Sequence, residues 1–206
     1  MHSEPRLPPL PIEKWDDDAR ELFRGKVGMA DRYLSGAPDA PPLPNILGVL
    51  GHHPELAAAW LGYNGLLLER GTIEPRAREL LILRVAWRTG CRYEWEQHVR
   101  IALRHGFPPE EVAAVRHGPD AALWPREESL LLRAADELLA GHRVRDDTWR
   151  ELAAHRSAAE LLELLFVAGS YLCLALVANS ADLRPDPAAE PLPAGLEFDG
   201  PEFDGG

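Results

Sequence analysis

Cysteine is scarce in this chain: its 206 residues contain only Cys91 and Cys173, which lie far apart. Two isolated cysteines do not make the disulfide framework of a small secreted domain. The opening stretch MHSEPRLPPLP also lacks the apolar segment of a secretory signal. The sequence therefore predicts a cytoplasmic protein without a structural disulfide.

Positive charge is scarce too, since the formal net charge is -11 at pH 7. An acidic chain disfavours nucleic acid and anionic membranes as main partners. No window reaches the roughly 18 apolar residues that a membrane span requires, so no membrane partner is expected. One segment differs: between Glu74 and Arg104 there are seven arginines and four glutamates. This locally basic segment suits a small anionic ligand.

Strand-like alternation of useful length is missing, which leaves an all-α class of about eight helices as the prediction. At 46% hydrophobic residues the chain can bury a real core. Helices are predicted to begin at Pro54 and Pro75 and to end near Gly90 and Gly106. The stretch WDDDARELFRGKVGMADRYL reads as one further helix. The stretches TWRE and SAAE read as capping boxes that open the last two helices, Thr148 to His155 and Ser157 to about Ala181.

Composition divides the chain into three parts. Residues 1–44 form an N-terminal extension with one helix and proline-rich flanks, and residues 45–183 form the helical domain. Residues 184–206 are an acidic tail rich in proline and glycine, in which EFDG occurs twice. Such a composition is typical of a disordered, solubilising tail. The alternative is that Phe198 and Phe203 pack on the domain or on a neighbouring subunit.

Four polar side chains are predicted to meet around the turn at Thr89–Gly90. The helix from Pro75 is apolar around most of its circumference and therefore belongs inside the protein, yet it carries Glu79. On the following helix the spacing of Cys91, Glu94 and His98 places them within about 60° of arc, on one stripe. The tight turn makes the two helices antiparallel. This geometry suits a proton relay at a buried pocket.

Simpler interpretations of the same residues remain open. Glu94 and His98 at i, i+4 are often only a solvated helix contact. A lone Cys91 is more often a small buried hydrophobe than a nucleophile. Strong zinc spacings such as CxxC…CxxC or HExxH are absent, so no metal is expected. Tyr63 and Trp87 are core or pocket-wall residues rather than catalysts.

Four stretches carry a resemblance to a known family: HHPELAAAW, PRARELLILRVAW, CRYEWEQHVRIALRHGFPPEEV and EESLLLRAADEL. The span from about Asn45 to Leu183 resembles the carboxymuconolactone decarboxylase family, which includes the AhpD-like alkyl hydroperoxidases. The resemblance implies an AhpD-like helical domain. It also implies a homo-oligomer, which we expect to be trimer- or dimer-based.

The hydroperoxidase branch of that family has a glutamate followed by a Cys-x-x-Cys-x-x-x-His motif. Glu79 falls at the glutamate, Cys91 at the first cysteine and His98 at the histidine. The second cysteine, which meets peroxide in that branch, is Glu94 here, and the histidine before it is Tyr93. An intrachain Cys-x-x-Cys disulfide therefore cannot form, which disfavours turnover as a thiol peroxidase.

The leading hypothesis is a cofactor-independent acid/base enzyme, a lyase that decarboxylates or isomerises a small carboxylated or lactone substrate. His98 is the main proton donor or acceptor, Glu94 and Glu79 orient it, and Cys91 is a polar neighbour. Five further residues are predicted to bind the substrate: Tyr63, Trp87, Arg88, Tyr93 and Trp95. One alternative is a thiol-dependent hydroperoxide reductase that uses Cys91. The other is an oligomeric binding protein without turnover.

Overall fold

The computed structural model describes residues 4–26, 30–35, 37, 40–186 and 190–200. In these residues the regular structure is helical, with ten α-helices, two short 3-10 helices and no strand, which confirms the predicted all-α class. The α-helices are α1 (Asp17–Phe23), α2 (Ala30–Tyr33), α3 (Asn45–Leu50), α4 (Pro54–Glu69), α5 (Pro75–Arg88), α6 (Arg92–Arg104), α7 (Pro109–Ala114), α8 (Arg126–Gly141), α9 (Asp146–Ala153) and α10 (Ala158–Ser180). The 3-10 helices cover Ile12–Lys14 and Val115–His117.

Two short helices account for the difference from the predicted number of about eight. The first predicted helix is divided in two, because the chain turns at Gly25, which has a φ of 64°. Glycine adopts this left-handed conformation at little steric cost, so α1 ends at Phe23 and α2 begins separately at Ala30. The other additional helix is α3, which lies just before the predicted start at Pro54.

Only one of the two predicted capping boxes is present. At the start of α10 the Ser157 amide and hydroxyl both donate to the Glu160 carboxylate, and the Glu160 amide donates back to Ser157 Oγ at 3.3 Å. The prediction for Thr148 is wrong, because α9 begins two residues earlier, at Asp146. The Thr148 hydroxyl donates instead to Glu137 on α8 at 2.9 Å, a tertiary contact that competes with the local cap.

The chain forms two compact units, one of which holds the described residues up to Arg70 together with residues 180–186. Its core is a cluster of buried apolar side chains from α1, α3, α4 and the residues next to α1 and α2: Trp15, Ala19, Phe23, Leu34, Leu47, Ala57 and Leu61. The Trp15 and Phe23 rings meet edge to face at 4.7 Å. Because α1 packs on α4, this compact unit extends to Arg70, and the division of the chain at residues 44 and 183 stays a prediction.

The second unit holds residues 71–179 and 190–200, and α5 is its central helix. Helix α5 packs against both α6 and α8, and every residue from Ala77 to Ala86 is buried. Burying a large aliphatic side chain contributes roughly 1.5–3 kcal/mol. The run of buried leucines, isoleucine and valine in α5 therefore supplies much of the stability of this unit.

Helix α10 corrects the expectation that no segment reaches the length and apolarity of a membrane span. Its 23 residues pass that test by length and composition, with a mean hydropathy of 2.2 over the best window. Half of that window is buried inside the chain, as in a core helix. Its buried Glu163 accepts hydrogen bonds from the Thr72 amide and hydroxyl, both at 2.5 Å.

The C-terminal segment also departs from the expectation of a disordered tail. Residues 190–200 lie on the second unit, where Arg100 donates twice to the Glu190 carbonyl at 2.8–2.9 Å. Phe198 packs against Trp87, with the ring centroids 5.4 Å apart. The alternative of a packed tail is therefore confirmed for Phe198, whereas Phe203 lies outside the described residues.

Candidate active site

Glu79 and His98 form a buried hydrogen-bonded pair between α5 and α6. His98 Nδ1 lies 2.7 Å from Glu79 Oε2. Glu79 is fully buried and His98 is only 7% exposed, so water screens this contact weakly. The prediction that these two side chains face each other across antiparallel helices is confirmed.

The turn between α5 and α6 fixes the register of this pair. Gly90 has a φ of 63°, and the Cys91 amide reaches back to the Ala86 carbonyl at 2.9 Å. The Asn179 side chain donates to the Thr89 carbonyl at 2.8 Å, which ties the turn to α10. A helix rises about 1.5 Å per residue, so this fixed turn sets which residue of α6 lies opposite Glu79.

Glu94 is a buried carboxyl group whose two oxygens have no hydrogen-bond partner among the described residues. Burial is the main cause that raises the pKa of Glu94 well above its ordinary value, and the neighbouring Cys91 thiol opposes this rise. The charged form of a carboxylate is disfavoured when it is buried away from water. Burial therefore favours the protonated form of Glu94.

Cys91 stands at the N-cap position of α6 and is fully buried. Burial is the main cause that raises its pKa, and the Glu94 carboxyl adds to this effect. The backbone amides of Glu94 and Tyr93 act in the opposite direction, toward the thiolate. Because burial prevails, Cys91 is a neutral thiol. It is therefore a poor nucleophile, since the thiolate is the reactive form.

Arg78 is a site residue that the sequence interpretation missed. It is 7% exposed, and its Nε lies 3.5 Å from Glu79 Oε1. Neither of these two buried atoms has a hydrogen-bond partner among the described residues. A buried guanidinium whose Nε lacks an acceptor is suited to a carboxylate or another anion. The signal in the sequence was the charged pair Arg78–Glu79 directly before the apolar run LLIL of α5.

Tyr171 on α10 is a second missed residue. Its ring meets the His98 imidazole at a centroid distance of 4.9 Å and an interplanar angle of 89°. Tyr171 is itself buried, so it limits the rotation of the imidazole. Nothing in the local pattern indicated this contact, because 73 residues separate Tyr171 from His98 in the sequence.

The residues predicted to bind substrate lie in different places. Tyr93 is buried on α6, whereas Trp87 and Trp95 pack against each other at 5.3 Å and against Phe198 of the C-terminal segment. Arg88 lines a polar cavity of about 800 Å³, which is lined by neither Glu79 nor His98, and donates to Asp136. Tyr63 belongs to the first unit, on α4. A role in substrate binding stays a prediction for all five.

The arrangement also bears on metal binding. Within the described ranges, no group of three or more His, Cys, Asp and Glu side chains is placed to hold a metal ion. Burial raises the pKa of both Glu94 and Cys91, which weakens both as ligands, because metals bind the deprotonated forms. The chemistry that this site offers is proton transfer by an imidazole held by a carboxylate, next to a guanidinium.

Comparisons with known proteins agree with this fold. The sequence model of the carboxymuconolactone decarboxylase family matches residues 54–137. A search of curated proteins gave no match. The chain is similar in structure to an alkylhydroperoxidase AhpD core protein, described as peroxidase-related, from Ralstonia eutropha JMP134 (TM-score 0.73, 20% identity, covering 91% of this chain and 95% of that one).

Two further structures are similar. One is a peroxidase-related protein from Silicibacter sp. TM1040, with a TM-score of 0.73 and 15% identity over 91% of this chain and 96% of that one. The other is the debrominase Bmp8 without ligand, with a TM-score of 0.68 and 20% identity over 88% of this chain and 92% of that one. These likenesses establish the AhpD-like helical fold.

Proposed function

The chain belongs to the carboxymuconolactone decarboxylase family, and we propose that it is a cofactor-independent acid/base enzyme. Its substrate would be a small carboxylated molecule or lactone, which it decarboxylates or isomerises. The observation that carries this proposal is the buried hydrogen bond between Glu79 and His98. General acid/base catalysis requires an imidazole held in one orientation near a shielded reaction site.

Glu79 has two effects on His98 in this proposal. Its carboxylate accepts the hydrogen bond from Nδ1–H, so Nε2 is the nitrogen that takes up and returns a proton. The same negative charge stabilises the imidazolium once the proton has arrived. Tyr171 supports the ring from a second side, which keeps the imidazole in place during both transfers.

Arg78 is the proposed anchor for the anionic group of the substrate. Its guanidinium is buried, adjacent to the Glu79–His98 pair, and has no hydrogen-bond acceptor for Nε among the described residues. A carboxylate of the substrate would supply that acceptor and place the adjacent carbon near His98. In an isomerisation His98 removes a proton and returns it at another carbon. In a decarboxylation it protonates the carbon that loses carbon dioxide.

Glu94 has a separate role in this proposal, in which it is protonated and stands where the hydroperoxidase branch has its second cysteine. A protonated carboxyl group donates a hydrogen bond to the oxygen on which negative charge develops. Cys91, also neutral, forms the neighbouring polar surface. A substrate enolate or carboxylate would therefore meet donors rather than a competing anion.

Thiol chemistry at Cys91 is the second candidate, and one observation favours it. The backbone amides of Tyr93 and Glu94 act to lower the pKa of the Cys91 thiol, against the larger effect of burial. A helix N-terminus activates a cysteine through the same kind of contact. One similar structure is a cysteine-to-alanine variant of the debrominase Bmp8 in complex with 2,3,4-tribromopyrrole, at 18% identity. Against this candidate stand the burial of Cys91 and the replacement of the second cysteine by Glu94. A binding protein without turnover is the remaining alternative.

The experiment that tests the main proposal is a screen of carboxylated lactones and related acids for carbon dioxide release and for isomerised products. A second screen with organic hydroperoxides and a thiol reductant runs in parallel. Carbon dioxide release or isomerisation that requires His98 but not the Cys91 thiol supports the proposal. Repeated hydroperoxide turnover that requires Cys91 would instead establish the thiol candidate.

We further propose that the protein is a homo-oligomer assembled through α10. Large apolar side chains are exposed on this helix at a four–three residue spacing: Leu162 (55% exposed), Phe166 (49%) and Leu176 (62%), with the smaller Gly169 and Cys173 between them. Such a stripe at heptad spacing is typical of a helix that packs on another helix. The two free thiols, Cys91 and Cys173, support a reducing, cytoplasmic location as a further proposal.

A further inference from the structure

A short stretch of the C-terminal segment lies in a cleft of the second unit, and its aromatic ring is the main contact. Trp87, Trp95 and Arg116 form this cleft, which we name the aromatic cleft. The Phe198 ring lies 5.4 Å from that of Trp87 and 6.4 Å from that of Trp95. The Arg116 guanidinium lies over both indole rings, at 5.2 Å from each ring centroid. Trp95 is fully buried in this arrangement.

Polar contacts hold two backbone carbonyls and one carboxylate of the bound stretch. The buried Trp95 Nε1 donates to the Leu196 carbonyl at 2.9 Å, and Arg116 donates to the Glu197 carbonyl at 2.6 Å. Arg116 also pairs with the Asp199 carboxylate at 3.1 Å. The Leu196 side chain is 2% exposed, so it is a second apolar anchor beside Phe198.

The two glycines of this stretch are required by its geometry. Gly195 has a φ of 82°, a conformation that other residues rarely adopt. At Gly200 a Cβ would come within 2.5 Å of the Phe198 ring and 3.2 Å of Trp87. The residue type is therefore required by a contact or by the backbone conformation at most positions of Gly195–Gly200. A non-specific contact of a tail would not require this.

The same hexapeptide pattern occurs again in the sequence, overlapping by one residue. Residues 195–200 read GLEFDG and residues 200–205 read GPEFDG, so five of the six positions are identical. The second copy keeps the phenylalanine, the aspartate and both glycines. Its Pro201 retains the carbonyl that Trp95 would bind but lacks the leucine side chain. The described chain ends at Gly200, inside the cleft, where the second copy begins.

We propose that the aromatic cleft is a binding site for the peptide Gly-x-Glu-Phe-Asp-Gly and that residues 200–205 of the same chain are its second ligand. The first copy occupies the cleft because Leu196 adds an apolar anchor. When the first copy leaves, a shift of five residues brings Phe203 and Asp204 to the places of Phe198 and Asp199. Tethering gives either copy an effective concentration on the order of millimolar, so a free peptide competes poorly with the intact chain.

Full-length variants test this proposal with a fluorescein-labelled peptide, AGLEFDG, whose binding is followed by fluorescence polarisation. The variants are Phe198→Ala, Phe203→Ala and the double variant, with an AGLEADG peptide as the matched control. We expect at least about tenfold tighter peptide binding by the double variant than by the native chain or either single variant. Adding Arg116→Gln to the double variant should weaken binding by about tenfold or more.

Two outcomes would overturn the proposal. If Phe198→Ala alone binds the peptide as tightly as the double variant, residues 200–205 are not a ligand of the cleft. If a folded double variant does not bind, or binds AGLEADG equally well, the cleft does not recognise this motif. The Trp95 indole N–H resonance provides a readout without added peptide. This resonance should stay near its native position in each single variant and should move in the double variant. If it moves as far in Phe198→Ala alone, residues 200–205 do not replace the first copy in the cleft.

Discussion

Glu94 follows Cys91 by one turn at the start of α6, and both side chains are buried next to each other, where burial raises the pKa of each. The sequence alone identified Glu94 as the residue at the position of a cysteine. The structure adds that this carboxyl group is fully enclosed within the described residues. A buried carboxyl group beside a buried thiol is a different chemical environment from a pair of redox-active thiols. Two predictions follow from this relationship.

The first concerns thiol reactivity. Cys91 should react with iodoacetamide at least about tenfold more slowly in the native protein than in the same chain unfolded in urea, because only an accessible thiolate reacts rapidly. Peptide mass spectrometry after timed alkylation at pH 7.5 measures the rate at Cys91 in both states. The urea-unfolded chain is the control. Equal rates would show that Cys91 is accessible and activated, which would favour the thiol candidate.

The second concerns stability against pH in Glu94→Gln. The folded-state pKa of Glu94 is raised, so the favourable contribution of its proton is complete below the unfolded pKa of about 4.3 and is lost as pH rises through the folded value. The native chain should therefore lose stability with rising pH relative to Glu94→Gln, by roughly 1.4 kcal/mol for each unit of pKa shift.

Melting temperatures of both chains between pH 5 and 9 test this. The exposed Glu127→Gln is the control variant for removing a carboxylate from the surface. A difference in melting temperature between the native chain and Glu94→Gln that stays constant over the whole pH range would mean that Glu94 is already ionised in the folded protein.

A third prediction addresses the Glu79–His98 pair. His98→Gln should reduce kcat/KM on the substrate found by screening by about 10²–10⁴-fold, because the group that transfers the proton is lost. Glu79→Gln should reduce it too, because the amide replaces the carboxylate that accepts the hydrogen bond from the imidazole. His105→Gln, an exposed position at the end of the same helix, is the matched control. A loss of less than about threefold in His98→Gln would exclude this role.

A fourth prediction separates the two arginines that could bind an anionic substrate. Arg78→Met should raise KM by about tenfold or more, because a charge-assisted hydrogen bond to the substrate carboxylate is lost. Arg88→Met should change KM little, because Arg88 pairs with Asp136 in the polar cavity of about 800 Å³, away from the Glu79–His98 pair. Steady-state kinetics on the same substrate compare both variants. The reverse order of effects would favour the sequence-based choice of Arg88.

A fifth prediction concerns assembly. Light scattering at micromolar concentration should give a mass that is a multiple of the 22.8 kDa chain. Phe166→Glu should reduce it, because a charge would enter the apolar stripe of α10. Leu123→Glu, an exposed apolar position outside that stripe, is the control. A native mass near 22.8 kDa would show that α10 does not mediate self-association.

The sequence by itself determined the helical class, many helix ends and one pair of facing side chains. Pro75 at the first position of α5, Gly90 and Gly106 with positive φ and the Ser157–Glu160 capping box act over a few residues. Interactions of this range can be recognised from spacing alone. Glu79 and His98 were predictable for the same reason, because a tight turn converts their spacing into an antiparallel register.

The tertiary structure decided what depends on distant parts of the chain. The Thr148 hydroxyl donates to Glu137 instead of capping a helix. Helix α10 places the Tyr171 ring in contact with the His98 imidazole. The C-terminal segment is placed by the indole and guanidinium groups of the aromatic cleft, not by its own composition. Composition measures the average tendency to bury apolar surface, whereas a few well-placed contacts can order a segment that this average describes as disordered.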